Sequence, residues 1–502
     1  MVAQAHGATL NGIDALPVLV EVDFIGTREP GFRIVGLPDK AVQESVERVR
    51  SAIRNCELRI PNNLVICNLA PGDIRKEGPL LDLPIAITVL AGTNQVPPEE
   101  LAKTLLVGEL GLDGEVRRVD GALNIALMAA ELGYERLIVP EPNAEEAAVV
   151  QSVEVYGVRS LLEAVEFLNG SMFPARTTLS LERPATMEYG VDFEDIRGQL
   201  SAIRALEVTA AGAHNVLLVG PPGSGKTMLA RRLPTILPPL SLQESIEVTR
   251  IYSAVGAKGT KQGLIWDRPF RSPHHTASYA AVVGGGKTPR PGEISLAHFG
   301  VLFMDEMPEF DRGVLESLRQ PLEDGVCTVA RVQDTQTFPA ECILVGAMNP
   351  CPCGLKGYPE AQCVSSPAVC GKYANKISGP LLDRIDLHVT VPRLKPDELL
   401  NMQPSEPSAA IRERVLKARE RQEQRLGKAR TNAKMTPREL RETVDLDAEC
   451  KEFMRVMSAN LGISARVFDR LLKVARTIAD LKGDGALSKA HLAEAVQYRS
   501  MS

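Results

Sequence analysis

Residues 216–233 read VLLVGPPGSGKTMLARRL, and this stretch decides the fold of the central part of the chain. The apolar run Val216–Val219 predicts a buried strand, and residues 228–233 favour a helix. Between them, glycines let backbone N–H groups turn towards a phosphate, beside the positive end of the helix dipole. The sequence therefore predicts an α/β fold with an ATP-binding P-loop. The P-loop residues are Gly220, Pro221, Pro222, Gly223, Ser224, Gly225, Lys226 and Thr227.

A second apolar strand supplies the carboxylates that such a site needs. Val301–Met304 is followed directly by Asp305 and Glu306. Because parallel strands deliver their carboxyl ends to one edge of a sheet, we expect Asp305 to bind Mg²⁺ together with the Thr227 hydroxyl. Lys226 is predicted to contact the β- and γ-phosphates. Glu306 is predicted to orient and deprotonate the attacking water.

Asn349 follows a third apolar run, Cys342–Ala347, and precedes Pro350. Its amide side chain is predicted to hold the attacking water near the γ-phosphate, in the role called sensor 1. The alternative is an Asx turn before the proline.

Two arginines are predicted to complete catalysis. Arg384 stands just before a final strand and is expected to reach the γ-phosphate of a neighbouring subunit as an arginine finger. The alternative for Arg384 is a surface salt bridge with Asp383 or Asp386. Arg466 begins a helical stretch and is expected to fold back over the nucleotide as sensor 2, with a solvated arginine as the alternative.

Length and composition restrict the class of protein. The 502 residues predict two to four domains, and 44% apolar with 24% charged residues is typical of a soluble globular chain. The amino terminus lacks the pattern of a secretory signal, and no stretch approaches the roughly 20 apolar residues of a membrane helix. We therefore expect a cytoplasmic protein with no membrane partner. With a net charge of −6, any DNA contact must come from local basic patches.

Three regions separate by pattern. Residues 1–170 alternate strand-like and helical runs, which predicts an α/β or α+β domain. Residues 171–195 are predicted to form a linker. Residues 196–395 carry the P-loop pattern, and residues 396–502 are mainly helical by propensity. The first region has predicted strands at Pro17–Phe24, Asn63–Leu69 and Arg136–Val139, and predicted helices at Lys40–Asn55 and Gly121–Leu132.

Four of the nine cysteines lie in a Cys-rich insertion at residues 351–370: Cys351, Cys353, Cys363 and Cys370. In a reducing compartment such a group favours a metal site over disulfides. Tetrahedral Zn²⁺ would close an insertion that has no core of its own. The alternative is free thiols in an ordered loop.

Two segments are candidates for nucleic-acid contact. The glycine-rich loop Gly284–Arg290 has the flexibility and the cations to line the pore of a ring. The stretch Arg412–Arg441 contains eleven Lys and Arg residues against four Asp and Glu, and its alternative is a solvated helix with internal ion pairs. Adjacent His274 and His275 favour a structural hydrogen-bonding role over metal binding.

With these elements in order, the chain resembles the magnesium-chelatase-like AAA+ ATPases of the ComM/YifB type over essentially its whole length. Besides the P-loop, the resemblance rests on four motifs, at Pro269–Thr276, Arg290–His298, Gly379–Asp386 and Ala475–Leu481. One departure concerns the cysteines. Relatives have a second Cys-x-Cys pair where this chain has Ser365, so that Cys370 would supply the fourth thiol.

The resemblance implies a hexameric ring with ATP and Mg²⁺ between subunits and a helical C-terminal lid. It implies a DNA partner and branch migration in recombination or natural transformation. It also implies that the amino-terminal region has a Lon-protease-like fold. Leu80 and Leu123 stand where a Lon protease has serine and lysine, so the domain is expected to be inactive. Two alternatives remain: a chelatase motor subunit acting on a tetrapyrrole, and a protein-remodelling ATPase.

Overall fold

The computed structural model divides the chain into two compact units. The first contains Met1–Pro184, Ser241–Trp266 and Lys287–Pro291, and the second contains Ala185–Leu240, Asp267–Gly286 and Gly292–Ser502. The structure describes residues 2–26, 31–184, 189–257, 263–286, 289–330, 335–356, 363–394, 403–461 and 464–499.

The first unit is built on a mixed seven-stranded sheet. Its two long central strands are antiparallel to each other, and the strands on one side of them continue in parallel. The three strands predicted from the sequence are confirmed, and their ends differ from the predicted ends by at most three residues. In spatial order, the strands are Gly31–Val35, Leu64–Ala70, Asp14–Ile25, Ala3–Asn11, Thr104–Leu106, Arg136–Pro140 and Glu154–Val158.

Helices cover this sheet. Lys40–Asn55 has the predicted bounds and begins at Asp39, whose side chain accepts a hydrogen bond from the Val42 N–H at 2.8 Å. Asp82–Gly92 is apolar on all sides and is buried along nearly its whole length, as a central core helix must be. The remaining helices of the unit are Ala122–Glu131, Ala144–Ala147, Leu161–Leu168 and Leu242–Ala254.

The first unit extends beyond the predicted boundary at residue 170. Helix Leu242–Ala254 belongs to it because that helix packs on Ala122–Glu131. The Asn124 side chain donates to the Arg250 carbonyl at 3.2 Å. The segment that contains this helix, Ser241–Trp266, is separated in the chain from Met1–Pro184 by residues of the second unit, so local sequence pattern does not assign it to the first unit.

The second unit contains a five-stranded sheet in which every pairing is parallel. The P-loop strand, Val216–Val219, lies between Ile343–Met348, which is apolar and buried as the sequence predicts, and Leu387–Thr390, which is buried in part. Short β-strands Val326–Ala330 and Thr335–Pro339 form a separate antiparallel hairpin. In spatial order, the sheet strands are Phe270–Arg271, Val301–Met304, Ile343–Met348, Val216–Val219 and Leu387–Thr390.

The rest of the second unit is helical, including all regular elements after residue 403. None of the described helices has both the length and the apolar content needed to cross a bilayer. The helices before residue 403 are Leu200–Gly212, Lys226–Ile236, Tyr279–Val282, Glu293–Leu296, Arg312–Ser317, Arg319–Asp324, Pro367–Ala374 and Gly379–Leu382. Those after it are Ser408–Leu426, Pro437–Thr443, Ala448–Leu461, Ala465–Lys482 and Lys489–Gln497.

Candidate nucleotide site

The P-loop joins the strand Val216–Val219 to the helix Lys226–Ile236. Gly223 and Gly225 have φ values of +76° and +92°, which favour glycine and explain why the turn needs it at these positions. The Lys226 ammonium turns back into the loop and donates to the Gly220 and Pro221 carbonyls at 2.7 and 2.9 Å. The loop therefore has the form of an anion cradle.

The environment of Lys226 fits a phosphate. Burial lowers the pKa of its ammonium, and the charges of Asp305 and Glu306 only partly oppose that effect. In the described part of the chain, the buried Ser224 hydroxyl of the same loop has no hydrogen-bond partner. A bound phosphate would supply the countercharge and the polar partner that these groups lack.

Thr227 and Asp305 meet as a Mg²⁺ site requires. The Thr227 hydroxyl donates to Asp305 Oδ2 at 2.7 Å. Thr227 stands at the start of the helix after the P-loop, whereas Asp305 follows the strand Val301–Met304. A hydroxyl and a carboxylate oxygen side by side are the oxygen ligands that Mg²⁺ prefers.

Glu306 follows Asp305 with a φ of +49°, in the left-handed region. Such a backbone costs on the order of 1 kcal/mol or more for a residue with a side chain, and it concentrates at functional sites. The Glu306 side chain is 57% exposed, so water reaches it.

Asn349 lies in the same site. The strand Ile343–Met348 pairs with the P-loop strand so that Val219 lies opposite Met348, which brings the next residue to the loop. Asn349 Oδ1 accepts a hydrogen bond from the Lys226 ammonium at 3.2 Å. The side chain is thus directed into the site.

His275 is a site residue that sequence reasoning missed. Its Nδ1 lies 3.6 Å from a Glu306 carboxylate oxygen, and its ring contacts the edge of Phe310. The sequence analysis favoured a structural role for it. The signal that could have found it is its position after Phe270–Arg271, the strand paired with Val301–Met304.

Arg384 is held inside its own chain. Its side chain is 10% exposed and forms an ion pair with Glu323, while a second guanidinium nitrogen donates to the Pro380 carbonyl at 2.8 Å. The sequence analysis gave a salt bridge of Arg384 with Asp383 or Asp386 as the alternative to a finger. The ion pair that Arg384 forms is instead with Glu323.

Arg384 lies at the edge of the sheet opposite to the P-loop. Asn215 immediately precedes the P-loop strand, and its side-chain amide donates to the Arg384 carbonyl at 3.2 Å. The P-loop follows the other end of that strand. At about 3.3 Å per residue, the four residues Val216–Val219 separate the two edges by roughly 13 Å.

Arg466 accompanies Arg384. The pKa of the Glu323 carboxyl is lowered first by its hydrogen bond to Arg384, and the charge of Arg466 contributes to the same shift. Arg470, one turn further along the helix, donates to the Arg384 carbonyl at 2.9 Å. The expectation that Arg466 folds back over the nucleotide as sensor 2 stays a prediction.

The four clustered cysteines converge. The Cys351 sulfur lies 3.3 Å from that of Cys353 and 3.7 Å from that of Cys363. Cys363 lies 3.4 Å from Cys353 and 3.6 Å from Cys370, sulfur to sulfur. These distances are far longer than a disulfide bond and match the edge of a tetrahedral Zn²⁺ site, which is about 3.8 Å for Zn–S bonds of about 2.3 Å.

The basic stretch Arg412–Arg441 is largely engaged within the second unit. Arg419 and Arg421 donate to backbone carbonyls, and Arg425 is paired with Asp480. This supports the alternative of internal pairing. The other residues of the stretch with partners in the chain are Arg412, Arg414, Lys417, Arg430, Lys434 and Arg438.

The glycine-rich loop Gly284–Arg290 is described in part, and residues 287–288 lie outside the described residues. Pro289 and Arg290 line a cavity of about 500 Å³ in the first unit, together with Asp120. The other residues that line this cavity belong to the same unit.

Leu80 and Leu123 lie in one apolar cluster of the first unit, and both are buried. The structure therefore brings together the two positions that the resemblance compared with a serine–lysine pair. Neither side chain carries a nucleophile or a base.

Three family models match the chain. Residues 192–399 match magnesium chelatase, subunit ChlI; residues 20–143 match the subunit ChlI of Mg-chelatase; and residues 405–499 match the C-terminal part of magnesium chelatase subunit ChlI.

Relatives of similar length support the same assignment. Competence protein ComM of Haemophilus influenzae is 44% identical over 495 residues, which cover 98% of this chain and 96% of the relative. YifB of Escherichia coli is 42% identical over 504 residues, which cover 99% and 96%. A local match of 94 residues, 34% identical, covers 19% of this chain and 20% of the DNA repair protein RadA of Bacillus subtilis. The chain belongs to the magnesium-chelatase-like family that includes ComM and YifB.

Proposed function

We propose that the chain is an ATP-hydrolysing motor of the AAA+ class. One observation carries the proposal: side chains from separate loops meet at the carboxyl edge of the parallel sheet. Lys226 donates to Asn349 at 3.2 Å, and Thr227 donates to Asp305 at 2.7 Å. Each pair joins the P-loop to the end of another strand of the sheet, the adjacent strand for Asn349 and the next strand but one for Asp305, which is how a nucleotide site in an open α/β sheet is assembled.

The residues divide the work of hydrolysis. The P-loop N–H groups and Lys226 bind the phosphates, and Thr227 with Asp305 would hold Mg²⁺, which neutralises phosphate charge when it is bound. Glu306 accepts the proton of the attacking water, and Asn349 orients that water. Preorganised polar groups of this kind supply most of the catalysis in phosphoryl transfer.

We propose that the chain assembles into a hexameric ring. Such a ring accounts for the position of Arg384 and Arg466. Arg384 and Arg466 lie on the edge away from their own P-loop, where they are suited to approach the γ-phosphate of an adjacent subunit. The carboxylate of Glu323 holds Arg384 until that neighbour is present. The helices after residue 403 would form the lid of each subunit.

We further propose that the motor acts on branched or duplex DNA, in branch migration during recombination or natural transformation. The support is the kinship with a competence protein over nearly the whole chain and the local likeness to a DNA repair protein. Because most basic side chains of Arg412–Arg441 already have partners within the chain, we propose that DNA contacts other surfaces. The second candidate is a chelatase motor subunit, which the three family models favour by name.

The first unit is proposed to be Lon-like and proteolytically inactive, serving assembly or substrate engagement. Buried Leu80 and Leu123 exclude a serine–lysine mechanism at that place. We also propose that Cys351, Cys353, Cys363 and Cys370 hold a structural Zn²⁺ ion. The sulfurs of Cys351, Cys363 and Cys370 all lie within 4.8 Å of one another, and the Cys353 sulfur lies 3.3 Å from that of Cys351.

The test is steady-state ATP hydrolysis with and without a four-way DNA junction, at low and moderate salt. We expect the junction to stimulate turnover of the unmodified chain, with the stimulation weakening as salt rises. Glu306→Gln is the control that must show none. Turnover without any response to DNA or binding at low salt would overturn the DNA assignment and favour a chelatase or protein partner.

A further inference from the structure

The turn that carries the first two cysteines packs directly on the P-loop. Gly354 has a φ of +76°, and a Cβ added there would stand 2.4 Å from Pro222 Cδ. The Gly354 N–H closes the turn by donating to the Cys351 carbonyl at 2.9 Å. The Lys356 N–H donates to the Cys351 sulfur at 3.2 Å, a contact that favours a thiolate. The position of the cysteine turn therefore fixes one wall of the P-loop.

A second connection runs through the helix Pro367–Ala374. This helix carries Cys370, and one turn later it carries buried Tyr373, whose phenol oxygen accepts a hydrogen bond from the Asn349 backbone. Asn349 also stands two residues before Cys351. The residue that contacts Lys226 is thus held between two segments, each of which carries a cysteine of the cluster.

Both connections depend on the cysteines staying together. The sulfurs of Cys351 and Cys353 on the turn, and that of Cys370 on the helix, all approach the Cys363 sulfur, so the cluster joins the turn to the helix. The Cys363 sulfur lies 3.4–3.7 Å from the sulfurs of the other three cysteines, and thiolates packed this closely are stable only around a cation, because they repel one another.

We propose that a thiophilic divalent cation, Zn²⁺, bound by Cys351, Cys353, Cys363 and Cys370 holds the P-loop and Asn349 in their nucleotide-binding arrangement, so that ATP affinity depends on occupancy of the cysteine site. The inference rests on the proposed ATPase function and adds a control to the same site. A metal that served only to fold the insertion would leave ATP affinity unchanged when the contact with Pro222 alone is broken.

The test uses the full chain, purified with Zn²⁺ and analysed for metal by mass spectrometry. Equilibrium binding of a fluorescent ATP analogue is measured before and after a chelator selective for Zn²⁺ over Mg²⁺, and again after Zn²⁺ is restored. We expect one Zn²⁺ per chain and at least a tenfold loss of ATP affinity on its removal, reversed by Zn²⁺. Cys56→Ser, a half-buried cysteine of the first unit, is the matched control and is expected to keep both metal and affinity.

Gly354→Ala covers the case in which metal removal unfolds the chain. Its added methyl group would stand 2.4 Å from Pro222 Cδ, and the positive φ disfavours any side chain, so the turn must shift away from the P-loop. The variant is expected to retain Zn²⁺, as checked by mass spectrometry, and still to lose ATP affinity at least tenfold. Unchanged affinity in Gly354→Ala with metal bound, unchanged affinity in the folded metal-free chain, or less than one Zn²⁺ per chain would each overturn the proposal. Absence of hydrolysis by the Zn²⁺-loaded chain would instead contradict the ATPase function, since ATP binding is measured separately.

Discussion

At the scale of single residues, the site is defined by a few polar contacts that bring distant parts of the sequence together. Glu306 has a left-handed backbone and an exposed carboxylate. The Nδ1 atom of His275 lies 3.6 Å from an oxygen of that carboxylate. Such a neighbour restricts the directions in which the carboxylate can face. We therefore expect His275 to be a positioning residue for Glu306.

Replacement of His275 by asparagine is predicted to lower the kcat for ATP about tenfold, a barrier change of about 1.4 kcal/mol, without changing ATP affinity. The affinity is spared because His275 contacts Glu306 and not the P-loop lysine. Steady-state kinetics and equilibrium binding measure the two effects. His274→Asn is the control, because His274 bonds to Thr276 instead. Equal losses in both variants would show that the pair is only structural.

Sequence reasoning succeeds at this scale where a residue's role follows from its neighbours in the chain. The P-loop, Asp305 and Asn349 were predicted because each directly follows an apolar strand. Glu323 and His275 were not, because their partners lie 61 and 31 residues away and only the folded chain brings them together. For the same reason, the sequence of Arg412–Arg441 does not distinguish between nucleic-acid contact and pairing within the chain.

At the scale of elements, the strand Leu387–Thr390 is joined to the helix Ala465–Lys482 through Asp386. This carboxylate is buried, accepts from Arg470 at 2.6 Å and from the Asn215 N–H at 3.0 Å, and lies 3.4 Å from His214. Burial alone would raise the pKa of Asp386, but these partners outweigh it and hold the pKa well below its usual range. The carboxylate form therefore stabilises the fold.

Asp386→Asn is predicted to lower stability by about 3 kcal/mol at pH 7, because a buried charge loses its partner. A lowered pKa in the folded state means that this stabilisation is present above the unfolded value of about 3.8 and is lost as pH falls below it. Chemical unfolding followed from pH 7 to pH 3 should therefore show the gap between the two proteins narrowing. Asp383→Asn, on the same segment, is the control. A gap that stays constant across this range would refute the assignment.

The element scale also shows where prediction from sequence stops. Four of the five parallel strands were predicted singly, and the fifth, Phe270–Arg271, was not. The structure supplies their order, which places Arg384 away from the P-loop of its own chain. Helix Leu242–Ala254 belongs to the first unit because it packs against Ala122–Glu131. No pattern in the sequence around this helix indicates that packing.

At the scale of the whole molecule, the proposed ring requires each nucleotide to be shared between subunits. Arg384→Ala alone is expected to bind ATP but to hydrolyse it at least about 100-fold more slowly, because the finger is missing. Mixing it with Lys226→Ala subunits, which retain the arginine, is expected to restore turnover measurably above either variant alone. Full turnover by Arg384→Ala on its own would show that Arg384 is not a finger.

The most direct test of the account is ATP turnover by the full chain and by Glu306→Gln, measured with ATP binding in the same samples. Glutamine keeps the size and hydrogen-bonding shape of the side chain but cannot accept the proton of water. The account predicts that the unmodified chain hydrolyses ATP and that Glu306→Gln binds ATP with similar affinity while its turnover falls at least about 100-fold. Equal turnover in the two proteins, or none in either, would contradict it.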